Sequence, residues 1–211
     1  MFNSPCTNTL RACHVGIEGP GIIQGFSTGI YIKGADSSQV DYVTLRQNLA
    51  GLVAYDVTFL TAASNVIGSN AGDGLTMDGS RSSVVAQNDV SGNGRYGIYL
   101  DCGSVDGCPK VLGVPLRPAK DNTVNNNTAN GNGSDGIRIA TDPVSARVYG
   151  NVTNGNGSYG IEVGVSGGSQ IFSNTALANA SGDLKDGDPT PCTINFWGGN
   201  VFFNKDPSCI Q

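Results

Sequence analysis

Charge is scarce in this chain. Only 14% of its 211 residues are Asp, Glu, Lys or Arg, and the net charge is −5. A solvated, disordered chain usually carries far more net charge, and the negative sign argues against a general affinity for nucleic acid phosphates. No run of about eighteen apolar residues occurs, so no membrane-crossing helix and no membrane insertion are expected. Histidine is reduced to His14, which excludes a histidine metal cluster, and neither a P-loop nor a dinucleotide fingerprint is present. The six cysteines contain no Cys-x-x-Cys pair, so they read as disulfides in an oxidising compartment, against the alternative of buried thiols. Neighbours in sequence give Cys6–Cys13, Cys102–Cys108 and Cys192–Cys209, with other connectivities open. The opening MFNSPCTNTL lacks the basic and apolar regions of a signal peptide. A secreted or cell-surface protein whose signal has been removed is expected.

What the chain has in excess is glycine, 31 residues, about twice the average usage. The glycines are periodic. GIYI begins at 29, GLVA at 51, GLTM at 74, GIYL at 97, GIRI at 136 and GIEV at 160, with a weaker GDL at 182. The intervals are 22, 23, 23, 39, 24 and 22 residues; the long one is a period plus an insertion of about sixteen residues. Asparagine shares the period. Asn70, Asn93, Asn132 and Asn156 lie four residues before their glycine, and Asn65, Asn88, Asn127 and Asn151 lie nine before it. Asn174 and Asn179 continue both columns, slipped by one residue. A further apolar column reads Val43, Val66 or Ile67, Val85, Val124, Val148 and Ile171.

Three short apolar strokes per 22–24 residues do not fit helical repeats, and the leucines of a leucine-rich repeat are missing. They fit a coil of short strands, each pairing in parallel with its counterpart one coil away, about 4.8 Å on. Inward side chains then stack from coil to coil. Asparagine suits the corners because it tolerates left-handed backbone and its amide can bond the amide of the next coil, while glycine supplies positive φ.

These columns resemble the right-handed parallel β-helix of the pectate-lyase-like superfamily, and more narrowly its generic repeat group, typified here by GNGSDGIRI and GNGSYGIEV. The resemblance runs from about Gly19 to Leu184. It implies an all-β solenoid of about seven coils, and its hand agrees with the right-handed crossover rule. The tail resembles the closing segment of bacterial secreted β-helix proteins, with Asn195, Trp197, Asn200 and Phe202 in the Asn-x-Trp…Asn-x-Phe positions. One domain is expected: an N-terminal loop or truncated cap over 1–14, coils over 15–184 with an insertion at 101–121, and a C-terminal cap over 185–211. In that cap Phe196, Trp197, Phe202 and Phe203 cover the last coil between Cys192 and Cys209. The first coil has no amphipathic helix before it, so either Cys6–Cys13 ties down a small loop cap there, or, as the favoured expectation, the chain is a fragment of a longer one or packs end to end or as a homo-oligomer at that coil.

Strand alternation turns Tyr31, Val53, Thr76, Tyr99, Arg138 and Glu162 outward, with Lys33, Tyr55, Asp78, Asp101, Ala140 and Gly164 two residues on. Thr28, Ala50, Asp73, Tyr96, Asp135 and Tyr159 stand just before the glycines. In the superfamily this face often lines the polysaccharide groove. The resemblance therefore implies substrate contacts at Tyr31, Tyr55, Asp73, Tyr96, Tyr99, Asp135, Tyr159 and Glu162. Asp78 and Asp101, one coil apart, have the separation of a retaining glycosidase pair; with Asp73 they could instead hold Ca²⁺, the one cofactor left open. Arg138 beside Glu162 could neutralise a sugar carboxylate. Asp78, Asp101 and Arg138 are the catalytic candidates, against a merely solvated face with weak ion pairs. None of the superfamily's signatures is present: no NTD…DD…GHG…RIK set, no RxPxxR segment, no DPH motif. Fold is thus far better specified than activity. The reading is a secreted β-helix that binds or processes a polysaccharide on this face; the rival is a non-catalytic structural or adhesive module.

Overall fold

The structure, a computed structural model, describes residues 14–101, 110–111, 114–115, 119–140, 145–164 and 168–211. No α-helix occurs among them. Two long parallel sheets run the length of the solenoid. The first holds the strands Gly16–Gln24, Gln39–Arg46, Thr61–Ala63, Val66–Gly68, Val84–Ala86, Asn122–Asn125, Ala146–Tyr149, Gln170–Phe172 and Phe196–Gly198. The second holds Thr28–Lys33, Ala50–Tyr55, Leu75–Asp78, Ile98–Asp101, Ile137–Ile139, Tyr159–Val163, Gly182–Asp186 and Lys205–Asp206. Two rows of single bridges, such as Asp89↔Thr128↔Val152↔Thr175, complete the perimeter of about seven coils. A short antiparallel hairpin, Lys110–Val111 with Val114–Pro115, sits in the insertion.

The core is a set of stacked columns. Ile30, Leu52, Leu75, Ile98, Ile137, Ile161 and Leu184 are in register and buried. Each such side chain contributes roughly 1.5–3 kcal/mol by leaving water. The upstream apolar column differs from its sequence reading. Val85, Val124, Val148 and Ile171 do stack, but their earlier partners are Val40 and Ala62. Ile67 pairs with Leu45 and belongs to the next column. One strand of eight residues, Gln39–Arg46, spans both columns there and hides the boundary between them.

The asparagines form two buried ladders. One runs Asn65, Asn88, Asn127, Asn151, Asn174, Asn200, each Nδ2 donating to the next Oδ1 at 2.9–3.0 Å. The other runs Asn48, Asn70, Asn93, Asn132, Asn156, Asn179 at 2.9–3.2 Å. The left-handed residue is not the asparagine but the one before it. Ser64, Gln87, Asn126, Gly150, Ser173 and Gly199 precede the first ladder, and Gln47, Ser69, Gly92, Gly131, Gly155 and Ala178 the second, all at positive φ. The strand-leading glycines Gly29, Gly51, Gly74, Gly97, Gly136 and Gly160 do not have positive φ. A Cβ on any of them would strike the next coil's carbonyl and a ladder amide. They are present for close approach; the positive φ expected of corner glycines is found at Gly92, Gly131, Gly150, Gly155 and Gly199.

Parallel pairing continues past Leu184, through Phe196–Gly198 and Lys205–Asp206. Two carboxylates close this end. Asp183 accepts the last ladder amide, Asn179 Nδ2, and the backbone N–H groups of Phe203 and Asn204. Burial pulls its carboxyl up, but these hydrogen bonds outweigh burial and hold it below the usual range. Asp186 accepts Trp197 Nε1 at 2.9 Å and the Cys192 N–H at 3.0 Å. Trp197 is buried, and the Cys192–Cys209 disulfide is formed. Phe196 and Phe203 are 59% and 81% exposed, so they do not cover the last coil as expected; Phe196 points away from the core on the outer face of its strand. The Cys6–Cys13 and Cys102–Cys108 expectations lie outside the described residues.

Candidate functional site

The outer face of the second sheet carries the chemistry. Its strands alternate buried aliphatics with outward groups, so Met77 and Leu100 face the core while Asp78 and Asp101 stand side by side on adjacent coils. Tyr31, Val53, Thr76, Tyr99, Arg138, Glu162 and Lys185 form one register column. Lys33, Tyr55, Asp78 and Asp101 form the next. The Tyr96 and Tyr99 rings meet at 4.8 Å between centroids. Tyr31 is 55% exposed. Lys33 lies 5.1 Å from the Tyr55 ring, Arg95 5.0 Å from Tyr96 and Lys185 4.8 Å from Tyr159.

Not every expected contact residue is offered to solvent. Asp135 is 1% exposed, and its Oδ1 accepts the Tyr159 N–H at 2.9 Å. Burial pushes its carboxyl up, opposed by that hydrogen bond and aided by the charge of Glu162. Glu162 is buried and pairs with Arg138, and with Lys185 at 3.5 Å. Arg138 also reaches Asp135 at 3.6 Å. Outward position on a strand therefore does not mean exposure, because long neighbours fold over the shorter ones. Arg95, which pairs with Asp73 at 3.6 Å, was missed; it stands two residues before the glycine, outside the strand. Lys185 was legible as the fourth residue of the weak repeat at Gly182.

Asp78 differs from the other acids of the face. Its Oδ1 is buried without a hydrogen-bond partner. Burial, then the neighbouring charge of Asp101, pushes its carboxyl up to about 6. Burial also raises the Tyr99 phenol, together with its hydrogen bond to Asp101 and that carboxylate's charge. A raised carboxyl means that ionisation disfavours the folded state. The stability present at low pH is lost as pH rises from the ordinary carboxylate range to about 6. Asp78→Asn should therefore stabilise the protein at pH 7–8 by on the order of 1 kcal/mol, discounted for solvent screening, and leave it unchanged near pH 4. Urea midpoints at the two pH values check this.

The three carboxylates proposed for Ca²⁺, Asp73, Asp78 and Asp101, do not converge. Among the described residues no three His, Cys, Asp or Glu side chains gather as metal ligands. Away from this face, a cleft of about 270 Å³ on the first sheet is lined by Asp121, Ser145, Ala146, Arg147, Gly168 and Gln170. No described helix is long and apolar enough to cross a membrane.

Residues 7–107, just under half of the chain, match the family described as NosD, periplasmic copper-binding protein. The described residues do not fit a copper site of their own: the one histidine, His14, bonds the Ser37 carbonyl through Nδ1, and Met77 is buried in the core. No curated protein matches. Among solved structures, the mannuronan C-5 epimerase AlgE6 A-module of Azotobacter vinelandii superposes over 87% of this chain with a TM-score of 0.66 at 19% identity. The periplasmic alginate epimerase AlgG superposes over 85% at 0.61 and 17%. The Dettilon tailspike protein gp208 superposes over 82% at 0.64 and 20%. The chain spans only 52%, 44% and 41% of their respective lengths. What this likeness establishes is the fold: the chain is a right-handed parallel β-helix.

Proposed function

We propose that this is an extracytoplasmic β-helix whose second-sheet face binds a polysaccharide. The observation that carries the reading is the tyrosine row, with Tyr31 open to solvent and Tyr96 against Tyr99, beside the Asp78–Asp101 pair. Aromatic faces with a few placed polar groups suit sugar rings, which present apolar C–H faces and hydroxyls. The periplasmic family match and the neighbours named for mannuronan and alginate epimerisation support the location and the ligand class. Affinity electrophoresis against immobilised polysaccharides tests it. Tyr96→Ala with Tyr99→Ala should weaken retention of the wild-type ligand roughly tenfold to a hundredfold, a loss of about 1.4–2.7 kcal/mol. Unchanged retention would remove the tyrosine row from the site.

A second reading, a structural module that packs through its first coils, has its own observation. Ile22, Phe26, Tyr42, Leu49 and Phe59 are each 59–62% exposed near that end, more apolar surface than a solvated coil needs. Concentration-dependent sedimentation would support it, and a monomer at all concentrations would remove it.

A further inference from the structure

We propose that Asp78 and Asp101 are a catalytic pair that hydrolyses a neutral polysaccharide, with Asp78 as the general acid and Asp101 as the nucleophile. Their role rests on the reading of this face as a glycan surface, and adds to it a reaction and a substrate class. Three observations converge on it.

The first is register. The two residues are Cα partners on adjacent coils, both alternating outward from buried neighbours. Coil spacing is about 4.8 Å, and retaining glycosidases hold their carboxyl groups about 5–5.5 Å apart.

The second is asymmetry. The Asp78 Oδ1 is buried with no partner, an environment that favours the neutral acid. Asp101 instead accepts a hydrogen bond from the Tyr99 phenol, which orients its carboxylate. Two carboxyl groups in unlike surroundings are how one site divides the roles of acid and nucleophile. The rise of Asp78 to about 6 agrees with this assignment.

The third is charge. Elimination or epimerisation of a uronate needs a cation to neutralise the sugar carboxylate. Here Arg138 is held by Asp135 and Glu162, Lys185 by Glu162, and Arg95 by Asp73, while Lys33, the other described cation of the face, stands over the Tyr55 ring, three coils before Asp101. A uronate beside Asp101 would meet like charge, whereas an uncharged sugar meets none.

The steps balance. Asp78 gives its proton to the glycosidic oxygen as the bond from that oxygen to the anomeric carbon breaks. Asp101 forms an ester bond to the same carbon. Water then attacks, returning a proton to Asp78 and its hydroxyl to the sugar, and Asp101 leaves as the carboxylate. The groups around Asp78 are Tyr55, with Lys33 above its ring, from the preceding coils, and Tyr99 and Asp101 from the following one. Activity should fall as pH rises through about 6, where Asp78 loses its proton.

The test incubates the whole chain with β-1,4-glucan, β-1,3-glucan, xylan and α-1,4-glucan, with alginate and polygalacturonate as charged controls. Retention and new reducing ends are followed together. A neutral polymer should be retained and shortened. Asp78→Asn and Asp101→Asn should keep binding and their circular dichroism but lose about 10³-fold or more in rate. Azide should restore turnover to Asp101→Ala through a glycosyl azide. A neutral polymer that is retained but never shortened overturns the catalytic pair and leaves the glycan reading standing. Cleavage with new ultraviolet absorbance from unsaturated ends, or undiminished cleavage by either Asn variant, also overturns the pair. Retention of no polymer overturns the glycan reading, and the pair with it.

Discussion

Gly136→Ala is expected to prevent stable folding, or to cost about 3 kcal/mol, the upper end of what overpacking a core usually costs. A Cβ at this position would lie 2.8 Å from Asn156 Nδ2, 2.8 Å from the Gly160 carbonyl oxygen and 2.9 Å from the Ala129 carbonyl oxygen. None of the three can move cheaply. The amide is a ladder member bonded to Asn179, and the carbonyls are backbone of packed coils. The strain would have to be relieved by opening the stack, which breaks the parallel pairing of Ile137 and its neighbours with the coils on both sides. Gly131→Ala is the control. Gly131 has φ 62° and nothing within 4 Å of its ideal Cβ, so alanine there costs only about 1 kcal/mol of backbone strain. Urea unfolding followed by circular dichroism separates the two. Similar, small losses for both variants would mean that the glycine column is not sterically required.

Asn127→Ala is expected to cost about 3–5 kcal/mol. This side chain donates from Nδ2 to the Val85 carbonyl at 2.9 Å and to Asn151 Oδ1 at 3.0 Å. Its Oδ1 accepts the Asn88 backbone N–H and the Asn88 Nδ2, both at 2.9 Å. Truncation would leave the buried Asn88 N–H with no acceptor, a loss of about 1–3 kcal/mol. It would also take one bond each from Asn88 Nδ2, Asn151 Oδ1 and the Val85 carbonyl, of which Asn88 Nδ2 keeps the Ala62 carbonyl and Asn151 Oδ1 keeps the residue-127 N–H. The ladder also polarises along its length, so the loss should exceed that of an isolated hydrogen bond. Asn126→Gly, one residue earlier, is the contrast. Asn126 is exposed at φ 54°, a conformation glycine adopts without strain, and the change should fall within about 0.5 kcal/mol. Equal effects at 126 and 127 would show that the ladder is not a main source of stability.

Much of this was readable from residues alone, and the limits are instructive. The stretch from Asn125 to Ala140 has the composition of a polar linker, yet its asparagines and glycines recur at one spacing. Periodicity survives in the chain because every coil must meet the same neighbour. It revealed the strands, both ladders and the outward column of the second sheet. It did not reveal where the ladders end. Asn48 and Asn200 extend them, and Asp183, four residues from Asn179, terminates one through a carboxylate rather than an amide. Nor did it distinguish Val40 from Val43, because a continuous eight-residue strand carries no corner between them.

The candidate site was legible as a list of side chains but not as an arrangement. Sequence placed Asp78 beside Asp101, since both stand four residues after a repeat glycine. That Asp78 holds its proton more tightly than an ordinary carboxyl depends on the burial of its Oδ1 and on the neighbouring charge of Asp101. Sequence likewise put Asp135, Arg138 and Glu162 on one face, while folding joined them with Lys185 into a closed ion-pair group. The repeat, the coil and the orientation of each side chain were determined by the sequence itself, because they follow from spacing within one period. Exposure, charge compensation and proton affinity were decided only by the tertiary structure, because they depend on residues 22–39 positions away that register brings within a few ångströms.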